Sequence, residues 1–303
     1  MRISAHADHS ARAKNRTIEA YREAVATNAD YVEFDIRQTA DGELVAFHDP
    51  ATSQGHPLSA VGYAQLCDLA GYAVPKVADV LAVIKGHAKG HLDLKETGYE
   101  RHLVQLTLDV LGPGEFIVTS LEDASVAAIR SRFRDVDEVP VALSLGRRLN
   151  GVPRPERLRA RVSELWPASR LRACGADWVA VDRRLALTGV AGRCRRQHRQ
   201  VMIWTVNSEQ EIRYWLRRRI DREDRVVSDT ALLPRFWGGL SVVSGLGPGL
   251  TRYSADAAPG CLAKATSAGS QVRAPTGSAG RSAWPVQEAG VHGSDGQQVR
   301  AIP

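Results

Sequence analysis

The sequence predicts an α/β protein built as a (β/α)8 TIM barrel. Short β-prone runs alternate with amphipathic, helix-like segments along most of the chain, which indicates βα units and a parallel sheet. Eight such runs lie between residues 2 and 229, and that number over that length is typical of a TIM barrel. An open, doubly wound sheet is the alternative, but no glycine-rich phosphate loop follows the first run.

The eight runs have the composition and length of strands. They are rich in Val, Ile and aromatic residues, and segments with helical periodicity such as TIEAYREAVATN and VADVLAVIKG separate them. In chain order they are RISAH (2–6), YVEFDI (31–36), HLDLK (91–95), FIVTS (116–120), VPVALS (139–144), WVAVD (178–182), VMIWTV (201–206) and RVVSD (225–229).

A further run, LVAFH (44–48), is expected to pair back onto the second strand. Asp41-Gly42 lies between the two runs, and this dipeptide favours a two-residue hairpin turn. With that turn, Asp35 faces His48. Because side chains alternate along a strand, Glu33 shares the face of Asp35. The hairpin would therefore gather two acids and a histidine on one face.

The bulk composition is that of an ordinary soluble protein. The 303 residues are 44% hydrophobic and 24% charged, so the chain can bury a sizeable core. The net charge is +6. The arginine-rich runs, however, carry interspersed acids on helix-like patterns, which indicates solvated helix faces rather than a nucleic-acid-binding surface.

The cysteines and the first residues of the chain bear on its compartment. The four cysteines are scattered without a CxxC pair, which argues against a zinc knuckle or a disulfide framework and fits a reducing environment. The N-terminal segment lacks the apolar stretch of a signal peptide, and no window forms an uncharged apolar run of about 18 residues. We therefore expect a cytoplasmic protein without a transmembrane helix, of unknown oligomeric state.

The character of the chain changes after residue 237. Residues 238–303 are rich in Gly, Ser, Ala and Pro and show no sustained periodicity. Such a segment carries too little apolar surface to offset the entropy of ordering. We expect a barrel domain over residues 1–237 and a disordered tail over residues 238–303.

Polar residues with catalytic chemistry stand at the carboxyl ends of the predicted strands, where TIM barrels carry their functional residues. They are His6, Glu33, Asp35, His48, Asp93, Lys95, Ser120, Asp182, Trp204 and Asp229. Taken singly, an acid pair in a strand commonly faces solvent, and a strand-end histidine or tryptophan is commonly structural. Their shared rim favours a functional site.

The residue types at this rim suit the hydrolysis of a phosphodiester. Glu33, Asp35 and Asp93 offer oxygen ligands to a hard divalent cation such as Mg²⁺ or Ca²⁺. Two histidines can divide the roles of general acid and general base, because imidazole titrates near neutrality. Lys95 follows Asp93 by two residues, so it would share a face with that acid and neutralise an anionic substrate.

Several segments together resemble the glycerophosphodiester phosphodiesterase family. SAHADHS (4–10), followed by NRTIEAYREAVATNADYVEFDIRQTADGELVAFHDP (15–50), is similar to the family's N-terminal signature. VPKVADVLAVIKG, HLDLK, WTVNSEQEIRYWL and RVVSD continue the resemblance, which covers roughly residues 2–236. It implies a TIM barrel with a small insertion after the second strand, shortened here to about residues 50–72.

The resemblance also implies residue roles and an activity. Carried over position by position, the catalytic histidines are His6 and His48, the metal ligands are Glu33, Asp35 and Asp93, and the substrate-binding residues are Lys95 and Trp204. The family usually has Glu where this chain has Asp93. Such an enzyme uses a divalent cation and releases sn-glycerol 3-phosphate and an alcohol from a glycerophosphodiester.

The sequence departs from the family pattern around the first histidine. The Arg and Gly that follow this histidine are Ala7 and Asp8 here, and the family's Glu-Asn-Thr segment is Asn15-Arg16-Thr17. The missing guanidinium would contact the phosphate, and its loss corresponds to roughly 2–4 kcal/mol of transition-state stabilisation by analogy with lost oxyanion donors. Arg16 is a candidate replacement for this phosphate contact.

Three functions remain open on the sequence alone. The first is a metal-dependent glycerophosphodiester phosphodiesterase. The second is a lysophospholipase D-like or other phosphodiesterase on the same barrel, and the third is a catalytically weakened barrel that binds a phosphodiester or a protein partner. Both histidines and all three acids are present, which favours an enzyme.

Overall fold

The computed structural model describes residues 2–6, 17–134, 139–217 and 225–229. The strands in these ranges are β1 (Arg2–His6), β2 (Tyr31–Gln38), β3 (Leu44–Ala46), β4 (Lys89–Leu94), β5 (Phe116–Ser120), β6 (Val141–Leu145), β7 (Trp178–Asp182), β8 (Gln200–Trp204) and β9 (Arg225–Asp229). The α-helices are α1 (Ile18–Ala26), α2 (Tyr63–Ala70), α3 (Val77–Ile84), α4 (Glu100–Leu111), α5 (Asp123–Arg132), α6 (Arg154–Leu165), α7 (Ala168–Cys174), α8 (Arg183–Leu187), α9 (Val190–Arg195) and α10 (Glu209–Arg217). No helix within these ranges combines the length and the apolar character needed to cross a bilayer.

Eight of the strands close into a parallel barrel. β1 pairs with β2 on one side and with β9 on the other, and the remaining neighbours follow in the order β2, β4, β5, β6, β7, β8, β9. Each of these pairings is parallel, so all eight carboxyl ends lie at one rim. The predicted TIM barrel is confirmed.

The alternation of side chains along the strands produces two apolar cores. One lies between strands and helices and contains Val32, Phe34, Leu92 and Leu94 together with helical residues. The other draws on strand residues of the opposite parity and therefore fills the inside of the barrel. Its members are Tyr31, Ile117, Ala142, Trp178, Ala180, Met202 and Val227, with Trp204 packed against them.

The hairpin between β2 and β3 differs from the expected one by a single residue. Ile36 pairs with Ala46, and the amide of Phe47 donates to the carbonyl of Asp35 at 3.0 Å. Phe47, not His48, therefore lies opposite Asp35, and the predicted pairing of Asp35 with His48 is wrong.

A longer loop causes this shift in register. The amide of Gly42 donates to the carbonyl of Thr39 at 3.0 Å, and the amide of Thr39 donates to the carbonyl of Glu43 at 3.0 Å. Gly42 has φ +85°, whereas Asp41 is not among the described residues with positive φ. This is a three-residue loop that ends in a left-handed glycine, rather than a two-residue turn that needs positive φ at both central residues.

The expected insertion follows β3. It contains a 3₁₀ helix at Leu58–Ala60 and then α2. Its apolar residues form a separate small core with β3, made of Val45, Phe47, Leu58, Val61, Leu66 and Val74. The carboxylate of Asp41 accepts hydrogen bonds from the amide of Tyr63 at 3.0 and 3.1 Å, so the hairpin loop also holds the start of α2.

Three sequence predictions concern residues outside the described ranges. Ala7, Asp8 and Arg16 fall within residues 7–16, and the tail falls within residues 230–303. The phosphate contact of Arg16, the domain boundary after residue 237 and the disorder of the tail remain predictions.

Candidate active site

Three neighbouring strands carry the candidate residues to one part of the barrel rim. β2 lies between β1 and β4, so their carboxyl ends are adjacent. The register places His6 beside Glu33 and Asp35 beside Asp93. Since Ile3, Ala5, Leu92 and Leu94 belong to the outer core, the residues of opposite parity on these strands point into the barrel.

His6, Glu33 and Asp35 form a compact group of possible metal ligands. One ligand atom from each lies within 4.8 Å of the others, and His6 Nε2 is 3.1 Å from Glu33 Oε2. Glu33 is 6% exposed and Asp35 is 1% exposed. Two carboxylates are thus held almost out of contact with water, which is costly unless cations or hydrogen-bond donors compensate them.

Lys95 bridges the second and third acids. Its Nζ lies 2.6 Å from Asp35 Oδ1 and 2.5 Å from Asp93 Oδ2. Burial disfavours the charged form of this lysine, but the attraction of Asp93 and Asp35 outweighs burial and raises the pKa of Lys95. Lys95 is therefore protonated, and its ammonium group lies between Asp35 and Asp93.

Burial and the neighbouring acids raise the affinity of Glu33 for protons. Burial raises the pKa of Glu33 well above its ordinary value; His6 and Lys95 oppose this shift, while Asp35 and Asp93 add to it. The cause is that negative charges are confined in a region of low dielectric constant. A divalent cation would relieve this repulsion, and the oxygen donors suit Mg²⁺ or Ca²⁺. The residues present fit such an ion.

Asp93 is also held by a residue of the next strand. Besides Lys95, it is contacted by Thr119 on β5, whose Oγ1 donates to Asp93 Oδ1 at 2.6 Å. Thr119 in turn lies 3.2 Å from Nε2 of His91, and Nδ1 of His91 lies 2.9 Å from Ser4 Oγ. These three residues were not among the sequence candidates, although alternation along HLDLK does place His91 on the face of Asp93.

His48 lies beside this group rather than within it. Its Nδ1 is 2.7 Å from Asp49 Oδ1, and its carbonyl accepts a hydrogen bond from Arg37 Nε at 2.9 Å. Arg37 also forms an ion pair with Glu96. The side chain of His48 is 43% exposed, so it stands at the open side of the rim, where it remains available to a bound molecule.

Trp204 lies at the carboxyl end of β8, on the side of the barrel away from the acids. It packs against the apolar interior, and its Nε1 is buried without a hydrogen-bond partner in the described part of the chain. An indole N–H of this kind can donate a hydrogen bond to a bound ligand.

Two other strand-end residues have structural partners. Ser120 donates to the carbonyl of Leu94 at 2.9 Å, and Asp182 caps α8 by accepting from the amide of Arg184 at 2.8 Å. These contacts explain both side chains without a catalytic role. The side chain of Asp229 lies outside the described part of the chain.

The chain is similar to known phosphodiesterases in sequence and fold. The model of the glycerophosphoryl diester phosphodiesterase family matches residues 6–222. No match was found among curated proteins.

Solved structures share the fold at low sequence identity. A glycerophosphodiester phosphodiesterase from Parabacteroides distasonis is 17% identical, with a TM-score of 0.59 over 78% of this chain and 95% of that one. The enzyme of the same name from Thermotoga maritima is 17% identical, with a TM-score of 0.58 over 77% and 96%. A phosphodiesterase from Oleispira antarctica, solved with the product sn-glycerol-3-phosphate, is 15% identical, with a TM-score of 0.57 over 78% and 96%. The family match covers most of the barrel, and the chain belongs to the glycerophosphoryl diester phosphodiesterase family.

Proposed function

We propose that this chain is a divalent-cation-dependent glycerophosphodiester phosphodiesterase. It would add water to a glycerophosphodiester, break the bond between phosphorus and the alcohol oxygen, and release sn-glycerol 3-phosphate and the alcohol. The observation that carries the proposal is the buried group of His6, Glu33 and Asp35, with Lys95 joining Asp35 to Asp93.

In this proposal the acids hold the cation and the cationic and aromatic side chains bind the substrate. Glu33, Asp35 and Asp93 would hold Mg²⁺ or Ca²⁺, which when bound polarises a phosphoryl oxygen as a Lewis acid. Lys95 would stabilise negative charge on the phosphoryl group. Trp204 would contact the glycerol moiety from the opposite wall.

The two histidines would divide the proton transfers. His6 contacts the acid group, which favours it as the base that accepts a proton from the attacking oxygen. The carboxylate of Asp49 can only accept at Nδ1 of His48, so Nε2 of His48 is left to exchange a proton with the leaving alcohol. We further propose that Arg16 contacts the phosphate in place of the arginine that the family has at Ala7.

A second candidate is hydrolysis of a larger, lysophospholipid-like diester. The observation that favours it is a cavity of about 480 Å³ on the insertion, lined in part by Phe47 and Asp49, the two sequence neighbours of His48. Phe47, Ala70 and Tyr72 are among its lining residues, so the cavity has the apolar wall that a larger leaving group would need. A direct comparison of glycerophosphocholine with lysophosphatidylcholine separates the two candidates.

The proposed compartment is the cytoplasm. Cys67, Cys174 and Cys194 are free thiols in the described part of the chain. Burial raises the pKa of the Cys194 thiol to about 11, which makes this cysteine unreactive. Free cysteines support a reducing compartment.

The test is release of glycerol 3-phosphate from glycerophosphocholine by the purified chain. We expect turnover with Mg²⁺ or Ca²⁺ and its loss in EDTA. His6→Ala and His48→Ala should each lower kcat by about 10²–10⁴-fold. His102→Ala removes an exposed histidine of α4 and should leave kcat unchanged. Inactivity of the wild type with either cation would instead favour a barrel that binds without turnover.

A further inference from the structure

A line of hydrogen-bonded side chains crosses the barrel interior beneath the candidate metal site. It runs from Ser4 on β1 to His91 on β4, then to Thr119 on β5, and ends at Asp93. Ser4, His91 and Thr119 are all buried. Polar groups placed this deep must be paired, and the pairing in turn fixes their orientation.

The number of available protons fixes the direction of the bonds between His91, Thr119 and Asp93. A threonine hydroxyl has one proton, and Thr119 donates it to Asp93 Oδ1, because a carboxylate can only accept. Thr119 must therefore accept from His91, so Nε2 of His91 carries a proton. Nδ1 on the other side of the ring lies 2.9 Å from Ser4 Oγ, so the ring is held by hydrogen bonds at both nitrogens.

From His91 onward, each donor in this line points toward Asp93. The hydroxyl of Ser4 fixes the ring of His91, the ring fixes the hydroxyl of Thr119, and that hydroxyl fixes one carboxylate oxygen. We propose that Thr119 and His91 are positioning residues that hold Asp93 in the orientation in which it binds the cation. The inference rests on the proposed function, because it assigns these residues a task only if Asp93 is a ligand.

The bond from Thr119 gives Asp93 an anchor that is independent of Lys95. Lys95 holds the other oxygen of Asp93, but it also holds Asp35 and is the proposed contact of the phosphoryl group. When Lys95 turns to a substrate, the Thr119 hydroxyl keeps Asp93 in place. Outer groups that orient metal ligands commonly change metal affinity by about 10–100-fold when removed.

The decisive variant is Thr119→Val, which keeps the shape of the side chain and removes the hydroxyl. The first measurement is the rise in Tm on titration with MgCl2 or CaCl2 in the absence of substrate. We expect the cation concentration at half effect to rise by about tenfold or more. Thr119→Ser should restore the wild-type value, and Thr119→Ala should not.

Thr107→Val is the matched control. Thr107 is equally buried, and its hydroxyl donates to the carbonyl of Leu103 within α4 at 2.8 Å. This variant removes a buried threonine hydroxyl without touching the site. It should therefore lower Tm to the same extent with and without cation, and leave the half-effect concentration unchanged.

A kinetic measurement separates positioning from mere packing. If Thr119 positions Asp93, kcat of Thr119→Val recovers toward the wild-type value at high cation concentration, whereas a packing defect persists at every concentration. An unchanged half-effect concentration in both Thr119→Val and Thr119→Ala would overturn the inference. A wild type whose Tm does not respond to either cation would instead refute the proposed metal site.

Discussion

Replacing Lys95 with methionine tests whether the acids at the rim depend on a cation. Lys95 Nζ contacts Asp35 at 2.6 Å and Asp93 at 2.5 Å. Removing one partner of a buried ion pair costs about 3–5 kcal/mol, because the remaining charge is left uncompensated. The side chains of Lys95 and Asp93 are 19% and 18% exposed, so we expect a loss at the lower end, about 3 kcal/mol.

The assay is thermal unfolding in EDTA at a pH where the aspartates are ionised. One kcal/mol shifts Tm by about 2–4 °C for a domain of this size, so the expected fall is about 6–12 °C. Adding Mg²⁺ should recover much of this loss, since a ligand at about one hundred times its Kd stabilises by about 2.7 kcal/mol. Cation dependence of Tm should therefore be steeper in the variant than in the wild type.

Lys89→Met supplies the control on the same strand. Lys89 pairs with Glu115 at 3.1 Å and also donates to the carbonyl of Gly114 at 2.6 Å, and the side chains of the pair are 32% and 51% exposed. An exposed pair of this kind contributes about 0–1 kcal/mol. If Lys95→Met lost no more stability than Lys89→Met, or if Mg²⁺ had no greater effect on it, the argument for a charge-compensated acid group would fail.

Three other predictions follow from the same geometry. Glu33→Gln should stabilise the cation-free protein by about 1 kcal/mol and abolish its response to Mg²⁺. The pKa of Glu33 is higher in the folded than in the unfolded state, so ionisation of this carboxyl destabilises the folded protein as pH rises above the unfolded-state pKa. The difference in free energy of unfolding between variant and wild type, measured in urea, should therefore grow with pH and vanish in acid. Ala7→Arg should raise kcat about tenfold or more if a phosphate contact is missing, whereas unchanged turnover would argue against a phosphate role at that position. Gly42 has φ +85°, so Gly42→Ala should lower the free energy of unfolding in urea by about 1 kcal/mol. Gly192→Ala, within α9, should raise it by about 0.5–1 kcal/mol. Equal effects of the two changes would contradict the three-residue loop that ends at Gly42.

The barrel and its acid group follow from local patterns in the sequence. Alternating strand-like and helix-like runs predicted eight parallel strands, and the structure closes them as expected. The two-residue spacing of Glu33 and Asp35, and of Asp93 and Lys95, placed each pair on one face. Because the carboxyl ends of parallel strands lie at one rim of a barrel, these spacings were enough to predict that the polar side chains of β2 and β4 share that rim.

The hairpin register depended on side-chain contacts of the loop, one of them to a distant segment, that the Asp-Gly pair alone does not reveal. Asp41-Gly42 suits either a two-residue or a three-residue loop. The longer loop is stabilised by the hydroxyl of Thr39, which donates to Asp41 at 2.5 Å, and by the distant amide of Tyr63. The bonds of Ser4, His91 and Thr119 likewise depend on how far one strand is displaced along its neighbour, a quantity that composition and spacing do not specify.

The arrangement of the acids on neighbouring strands has a consequence for how such a barrel can be altered. His6, Glu33, Asp35, Asp93 and Lys95 all lie within the first 95 of 303 residues, on the arc formed by β1, β2 and β4. Trp204 and most of the apolar interior belong to the arc made by later strands. A chimera that joins the strands from β1 to β5 of this chain, which carry the proposed cation ligands and Thr119, to the later strands of another barrel of the same fold should keep the proposed cation site while exchanging the wall that faces the rest of the substrate.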